Sequence, residues 1–296
     1  MKRNNLFLGL GLSLLVSFVV LTGCAKDESV SPGTSLDERG SASGTPANSF
    51  LIGLSANNEI VKFSSGPPAK ELAVTPIIGL DSGEMMLAID YRPRTGKLYG
   101  VSSASKLYYI DIYSGLAGSV AKEPFKPVIQ GSTVGFEINP IDDRARIVTD
   151  DDQNLRLNVE TGEVIAVDAN LTPSLVALNS IAYANSVSSG LVSPYTLYGL
   201  DMSEGKLYRV ANNAGTLSPV GSTGVDILSE GGFDAKKAGS WAVFEGTVRI
   251  GGFGPGIGGN TDDLSVPAWR LWSINLVTGA ATSGGQVRPM IGIAIP

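Results

Sequence analysis

The residues best suited to chemistry lie in one polar stretch near the middle of the chain. Asp150, Asp152 and Asn154 occupy alternating positions, and oxygen ligands at that spacing can point at one calcium ion. An EF-hand loop would also need a glycine at its sixth position and a glutamate at its twelfth, where this chain has Leu155 and Thr161. The pattern therefore predicts either a calcium site of another kind or a solvated hairpin turn.

The same stretch carries side chains that could bind an organic ligand: Arg144, Arg146, Gln153, Asn154 and Arg156. The planar guanidinium group of arginine matches a carboxylate, and the amides can bind sugar hydroxyls. The alternative is a set of arginine–aspartate pairs across adjacent strands, each of which stabilises a fold only slightly. Both alternatives stay open at this point.

The composition excludes several classes of function. The chain has 296 residues and no histidine, which excludes Ser-His-Asp triads, Cys-His dyads and imidazole zinc sites. A net charge of −6 disfavours contact with phosphate backbones, so we expect no nucleic-acid partner. No catalytic motif is recognisable, and we lean towards a protein that is not an enzyme. We expect no cofactor, with calcium as the one exception.

The N-terminus has the pattern of a bacterial export signal. Lys2 and Arg3 precede an apolar run over residues 6–21, which is shorter than the roughly 20 residues that a membrane span needs. The run ends in Leu21-Thr22-Gly23-Cys24, which resembles the lipobox of bacterial lipoproteins. That resemblance implies cleavage before Cys24 and attachment of lipid to its sulfur, so the membrane becomes a partner through the anchor.

The predicted domain organisation follows from this signal. Residues 1–23 are the signal peptide, residues 24–48 are the lipidated cysteine with a flexible linker rich in serine, glycine and proline, and residues 49–296 form the folded domain. Ala25, rather than an aspartate, follows the cysteine, and by resemblance to lipoprotein sorting this implies an anchor in the outer membrane. The segment Lys26-Asp27-Glu28 resembles a surface-export signal, and its alternative is a solvated charged tether.

A repeated strand pattern fills the rest of the chain. Short apolar strands begin at residues 51, 98, 146, 197 and 241, and these spacings of 44 to 51 residues suit four-stranded blades. Each is followed by an alternating strand and a tight glycine turn, and a further strand closes each unit. The pattern predicts an all-β fold, a β-propeller of five four-stranded blades. Its last strand, at residues 291–295, is expected to pair with the N-terminal strand and close the ring.

Aromatic residues recur at equivalent strand positions of this repeat. They are predicted to fill the wedges between blades, and the alternative is a platform on which sugars stack. The residues are Tyr99, Tyr108, Tyr198, Tyr208, Trp241 and Trp272.

Two segments are more specific than the general repeat. They read IDYRPRTGKLYG at residues 89–100 and GFEINPIDDRARIVTD at residues 135–150, the second continuing to QNLRLN at 153–158. They resemble a bacterial family of propeller-like proteins, domain of unknown function 4394, over about residues 50 to 296. The resemblance implies the fold and no activity. The chain departs from the pattern at Asp151 and Asp152, where a small turn residue is expected.

Three functional hypotheses remain, of which the third is a structural protein of the cell envelope with no small ligand. The first is a cell-envelope lipoprotein whose propeller is a non-catalytic binding or scaffold module for a glycan or a protein partner. The second is a calcium-dependent hydrolase or lyase that uses carboxylates in the propeller channel. One feature distinguishes the binding module from the enzyme. The enzyme requires that Asp90, Glu137 and Asp234, which come from equivalent strands, converge on one axis with the polar stretch at residues 142–158.

Overall fold

The computed structural model describes one β-rich body. The described residues are 50–66, 68–174, 176–185, 195–236, 239–249 and 265–296. The predicted signal peptide, Cys24 and linker lie outside them. Every regular element in the described residues is a strand, and among these residues no helix is long and apolar enough to cross a membrane.

The described residues form twenty strands, which are numbered in chain order. Their bounds are β1 (Phe50–Ser55), β2 (Glu59–Ser64), β3 (Glu71–Pro76), β4 (Met86–Arg92), β5 (Lys97–Ser102), β6 (Leu107–Ile110), β7 (Ala117–Ser119), β8 (Val134–Ile138), β9 (Arg144–Thr149), β10 (Asn154–Asn158), β11 (Val164–Val167), β12 (Ser180–Asn185), β13 (Tyr195–Asp201), β14 (Lys206–Val210), β15 (Leu217–Ser222), β16 (Ile227–Lys236), β17 (Gly239–Arg249), β18 (Ser265–Ile274), β19 (Ala281–Gln286) and β20 (Gly292–Ala294).

The strands form five antiparallel sheets of four strands each. Four sheets use consecutive strands, β4 to β7, β8 to β11, β12 to β15 and β16 to β19, and the fifth has the order β20-β1-β2-β3. The innermost strand of each sheet contacts the innermost strands of the two neighbouring sheets. These strands form a closed ring in the order β4, β8, β12, β16, β20 and back to β4. This arrangement is a five-bladed β-propeller, and the predicted fold class and blade number are confirmed.

The ring closes through the end of the chain, as predicted. In β20, Gly292, Ile293 and Ala294 pair with residues of β1 in antiparallel register.

One detail of the repeat differs from the sequence interpretation. The strand that ends each sequence unit, such as residues 87–91, is the innermost strand of the next blade, because it pairs with the strand that follows it. Each sequence repeat therefore spans two neighbouring blades.

Burial decreases from the inner to the outer strand of a blade. All five residues of β8 are buried, whereas β11 of the same sheet alternates between half-buried and exposed residues. An inner strand packs against neighbouring blades, whereas an outer strand faces solvent on its free edge. The predicted aromatic wedges are confirmed for five of the six residues, which are buried in clusters shared by neighbouring blades: Tyr99, Tyr108, Tyr198, Tyr208 and Trp272. Trp241 is only partly buried.

The tight turns between the third and fourth strands of the blades have the predicted glycine geometry. At the turn after β6, the Asp111 carboxylate accepts hydrogen bonds from the backbone N–H groups of Tyr113 (3.0 Å) and Ser114 (2.8 Å). Gly115 follows with a φ of 73°, and a Cβ there would lie 1.9 Å from the carbonyl oxygen of Pro76. Glycine is needed because this turn packs directly on the backbone of the neighbouring blade.

Candidate functional site

Two of the three predicted calcium ligands, Asp150 and Asn154, have protein partners in the structure, whereas the buried Oδ1 of Asp152 has no hydrogen-bond partner. The Asp150 carboxylate accepts hydrogen bonds from the backbone N–H groups of Ser132 (2.8 Å) and Thr133 (3.0 Å). Asp152 lies in the left-handed region with a φ of 61°, and the amide oxygen of Asn154 accepts from Arg146. The calcium site proposed for this turn stays a prediction, because these contacts do not test it.

The predicted organic-ligand residues form a network between two blades. Arg146 is 2% exposed and donates to Asp168 (3.0 Å), to the carbonyl oxygen of Asn212 (2.8 Å) and to the side chain of Asn213 (3.0 Å). Arg156 binds the two carboxylate oxygens of Asp168 at 2.7 and 2.9 Å. Both guanidinium groups are therefore occupied by protein groups.

The other members of that set also have local roles. Gln153 accepts from the backbone N–H of Gln130 (2.9 Å) and donates to the carbonyl oxygen of Val128 (2.8 Å). The Arg144 backbone pairs with Asn139 at the start of β9, with its carbonyl oxygen accepting at 2.9 Å. Ligand binding by this set stays a prediction.

A different group of residues does converge. Asp90, Glu137 and Asp234 are buried, and one carboxylate oxygen from each lies within 4.8 Å of the others. They come from the inner strands β4, β8 and β16, where alternation turns every second side chain toward the channel. The polar stretch at residues 142–158 contributes no member to this group. We call Asp90, Glu137 and Asp234 the acidic triad.

Each carboxylate of the acidic triad also clamps the next inner strand of the ring. One oxygen of each accepts a backbone N–H from that strand or from the residue directly after it, and these bonds fix the side chains. The donors are Ile138 to Asp90 (2.7 Å), Tyr183 to Glu137 (3.2 Å) and Ile295 to Asp234 (2.6 Å). The triad therefore has a structural role that holds three of the five blades to their neighbours.

Burial and mutual repulsion make these carboxylates hard to ionise. Burial raises the pKa of Asp90 from 3.8 to about 7, and Asp234 adds to this rise while Lys236 opposes it. Burial and the charges of Asp90 and Asp234 raise the pKa of Glu137 well above its ordinary value. Burial also raises the pKa of Asp234, against the effect of Lys236. Burial would lower the pKa of Lys236, but the three carboxylates outweigh it and raise that pKa.

A pocket of about 200 Å³ opens beside the triad at the end of the inner strands. Its lining combines one carboxylate, one ammonium, two phenol rings, an amide and two prolines. These residues are Glu137, Lys236, Tyr183, Tyr195, Asn185, Pro93 and Pro140. The opposite end of the inner strands has a pocket of about 150 Å³ without a charged lining residue, near Ser132 and Asn179. The charged end is therefore the better candidate for ligand binding.

Because the pKa of Asp90 is raised, we expect the effect of Asp90→Asn on the stability of the fold to depend on pH. Between about pH 4 and about pH 7, folded Asp90 holds a proton that the unfolded chain has released, so rising pH lowers the stability of the parent chain. Asparagine keeps the acceptor for Ile138 and does not titrate. We expect the variant to match the parent near pH 4 and to unfold at a higher temperature at pH 8, measured by thermal unfolding in EDTA.

Asp143→Asn is the control, because its effect on stability is expected to have the opposite sign. Hydrogen bonds from Arg92 lower the pKa of Asp143, so this carboxylate stabilises the fold above its ordinary pKa and loses that effect as pH falls. This variant is expected to be less stable than the parent at pH 7, with the difference shrinking toward pH 3. A constant difference between Asp90→Asn and the parent from pH 4 to pH 8 would contradict the first prediction.

The sequence of the propeller matches a known family. The pattern of the family described as Domain of unknown function (DUF4394) matches residues 59–294, from the start of β2 to the end of β20. The chain belongs to this family. The DUF4394 match thus covers four blades completely, the closing blade without β1, and all three members of the acidic triad. A search of curated proteins found no match.

Solved structures resemble the DUF4394 domain only at the level of the fold. An auxiliary nutrient binding protein from Bacteroides thetaiotaomicron is 15% identical, over 58% of this chain and 47% of its own length, with a TM-score of 0.36. A structural genomics protein of unknown function from the same organism is 13% identical, over 79% and 57%, with a TM-score of 0.48. The Neurospora crassa Pan2 WD40 domain is 8% identical, over 82% and 67%, with a TM-score of 0.40. At these scores, none of the three supports an argument about function.

Proposed function

We propose that this protein is a lipid-anchored binding module of the bacterial outer membrane, and that its propeller binds a glycan in the pocket beside Glu137 and Lys236. The observation that carries the proposal is the chemistry of that pocket. A carboxylate and an ammonium can both hydrogen-bond sugar hydroxyls, and the half-buried phenol ring of Tyr195 offers an apolar face. Binding rather than turnover is favoured because the chain has no histidine and no recognisable catalytic motif.

The pocket size constrains the ligand. Pockets that enclose a drug-sized molecule measure roughly 300–1,000 Å³, and this pocket holds about 200 Å³. It therefore suits a single sugar unit, such as the end of a longer glycan.

The test is a glycan array probed with the full chain purified in detergent, including neutral sugars and uronic acids. Lys236→Met and Asn185→Ala are expected to weaken binding at least about tenfold, as for loss of a charged or neutral hydrogen bond. Lys122→Met is the matched control, because Lys122 is exposed and does not line the pocket. Binding that survives Lys236→Met unchanged would place the glycan elsewhere.

The anchor is tested separately through Cys24. Without the thiol, no lipid can attach, and a single soluble domain has little else to hold it on a membrane. We expect the parent chain to fractionate with outer membranes and Cys24→Ser to lose that association. Protease added to intact cells, with and without alanines at Lys26, Asp27 and Glu28, distinguishes a surface-export signal from a simple tether. A Cys24→Ser chain that stays in the outer membrane would contradict the lipoprotein proposal.

The second candidate function is a calcium-dependent hydrolase or lyase that works in the channel. The convergence of Asp90, Glu137 and Asp234 favours it, because such an enzyme would need several carboxylates around one ion. The glycans that bind on the array decide between the two functions. Incubation with the chain and calcium would leave them intact for a binding module, and would release new reducing or unsaturated ends for an enzyme.

A further inference from the structure

The acidic triad leaves a buried oxygen without a partner. Asp90 is 1% exposed, its Oδ2 accepts from Ile138, and its Oδ1 has no hydrogen-bond partner. Leaving a buried polar atom unpaired costs about 1–3 kcal/mol, so native proteins normally satisfy such atoms. This oxygen belongs to the residue that meets Glu137 and Asp234 within 4.8 Å. The orphaned atom therefore points to a ligand that the triad is built to hold.

The formal charges of the site specify the sign and size of that ligand. When all three carboxylates are ionised, they and the Lys236 ammonium together carry a formal charge of −2 in a buried location. Uncompensated charge in a protein interior is strongly unfavourable, whereas one divalent cation would neutralise it. Lys236 does not itself fill the centre of the triad. Its ammonium donates to the carbonyl oxygen of Ile295 and lies 5.4 Å from the centroid of the Tyr91 ring.

The spacing of the triad fits a calcium ion. Calcium binds oxygen ligands at about 2.3–2.6 Å, so two ligands on opposite sides of the ion are up to about 5 Å apart. The separation of 4.8 Å or less is within that span without movement of the strands. Three carboxylates leave further coordination positions for water, and Glu137 connects the triad with the pocket through which water and ions could enter.

We propose that Asp90, Glu137 and Asp234 form a divalent-cation site, with calcium as the preferred ion, at the centre of the propeller. The ion would join three blades that the carboxylates already clamp to their neighbours. The site differs from the one predicted at Asp150, Asp152 and Asn154, and it does not depend on the glycan proposed for the pocket.

The test is titration of the full chain in detergent, stripped with EDTA, with calcium, magnesium or manganese chloride. Calorimetry is expected to show one calcium ion per chain with a Kd below about 1 mM. At about a hundredfold excess over Kd, the unfolding midpoint should rise by roughly 5–10 °C. Absence of binding by the parent chain up to about 10 mM of all three ions would overturn the proposal without any variant.

Variants locate the site. Three variants each remove one negative charge but keep a side-chain oxygen that can accept the backbone N–H: Asp90→Asn, Glu137→Gln and Asp234→Asn. Each should weaken calcium binding at least about tenfold. The matched control is Asp150→Ala with Asp152→Ala, which removes two carboxylates outside the triad and should leave the Kd unchanged. If calcium binding is lost in this control but kept in the three triad variants, the proposal is overturned and the calcium site lies in the turn after β9.

Lys236→Met separates an ion site from a purely structural cluster. Removing a positive charge next to the triad should strengthen calcium binding at least about threefold, because the ammonium repels the ion. A structural role alone would change stability without any change in calcium affinity. Weaker calcium binding in Lys236→Met would contradict the proposed site, whereas loss of glycan binding in the same variant bears only on the proposed function.

Discussion

Removal of residues 292–296 is expected to prevent the propeller from folding. The deletion removes β20, which pairs with β1 and contacts both β4 and β16. It also takes Ile293, Ala294 and Ile295 out of the core, where each is at most 7% exposed. Burial of each isoleucine is worth about 1.5–3 kcal/mol, against a typical total stability of about 5–15 kcal/mol.

The deletion also damages the ring beyond the residues it removes. The backbone N–H of Ile295 is the donor that satisfies Asp234 Oδ2, so the carboxylate would lose this partner. The inner edge of β1 would then be unpaired, and exposed strand edges promote aggregation. Circular dichroism, thermal unfolding and size-exclusion chromatography of the truncated chain measure the outcome, and we expect aggregation and no cooperative transition.

Deletion of Pro296 alone is the control. Pro296 is exposed and lies beyond the last paired residue of β20, so its loss should leave the unfolding midpoint unchanged. If the chain without residues 292–296 unfolds cooperatively near the temperature of the parent, the terminal strand is not what closes this propeller.

Arg146→Ala is expected to lower the free energy of unfolding by about 3 kcal/mol or more, the range seen when one partner of a buried ion pair is removed. The guanidinium is buried and donates to Asp168, Asn154 and the carbonyl oxygen of Asn212. Alanine leaves the Asn154 amide oxygen without its donor and leaves a cavity between two blades, while Asp168 and the Asn212 carbonyl oxygen each lose one of their donors. Urea unfolding of the variant and the parent measures the difference.

Arg156→Ala is the matched control for Arg146. Its side chain binds the same Asp168 carboxylate but is 26% exposed, so water can replace much of the contact. We expect a loss of about 1 kcal/mol or less, as for ion pairs near the surface. If Arg146→Ala is as stable as the parent and instead loses binding of a ligand, Arg146 serves binding, as its position in the sequence first suggested.

The fold was largely predictable because a propeller is a repetition of one local unit. The alternation of apolar and polar residues in strands such as β10 marks one buried face, and glycines such as Gly115 mark the turns. The spacing of the units indicated five blades, and the apolar strand at the chain end indicated closure. The assignment of strands to blades was harder to predict, because the residue pattern of a strand does not show whether it pairs with the strand before it or the strand after it.

The candidate site was predicted less well. The densest polar stretch drew attention to Arg146 and Asn154, which the structure uses to join two blades. The acidic triad gives a weaker signal, one acidic residue at an equivalent position in each of three strands, and it was visible only when those positions were compared. A buried acidic residue in the middle of an otherwise apolar strand, as Glu137 in β8, is the feature that could have ranked it first.

By itself, the sequence determined the repeat, the all-β class, the family and the absence of histidine chemistry, because each depends on local pattern or composition. Only the tertiary structure decided which charged residues meet. Asp90, Glu137 and Asp234 are separated by 47 and 97 residues in the chain, and they converge because the inner strands of different blades surround one axis. Closure of the ring also decided which charges are buried, and burial is what raises the pKa values of these three carboxylates.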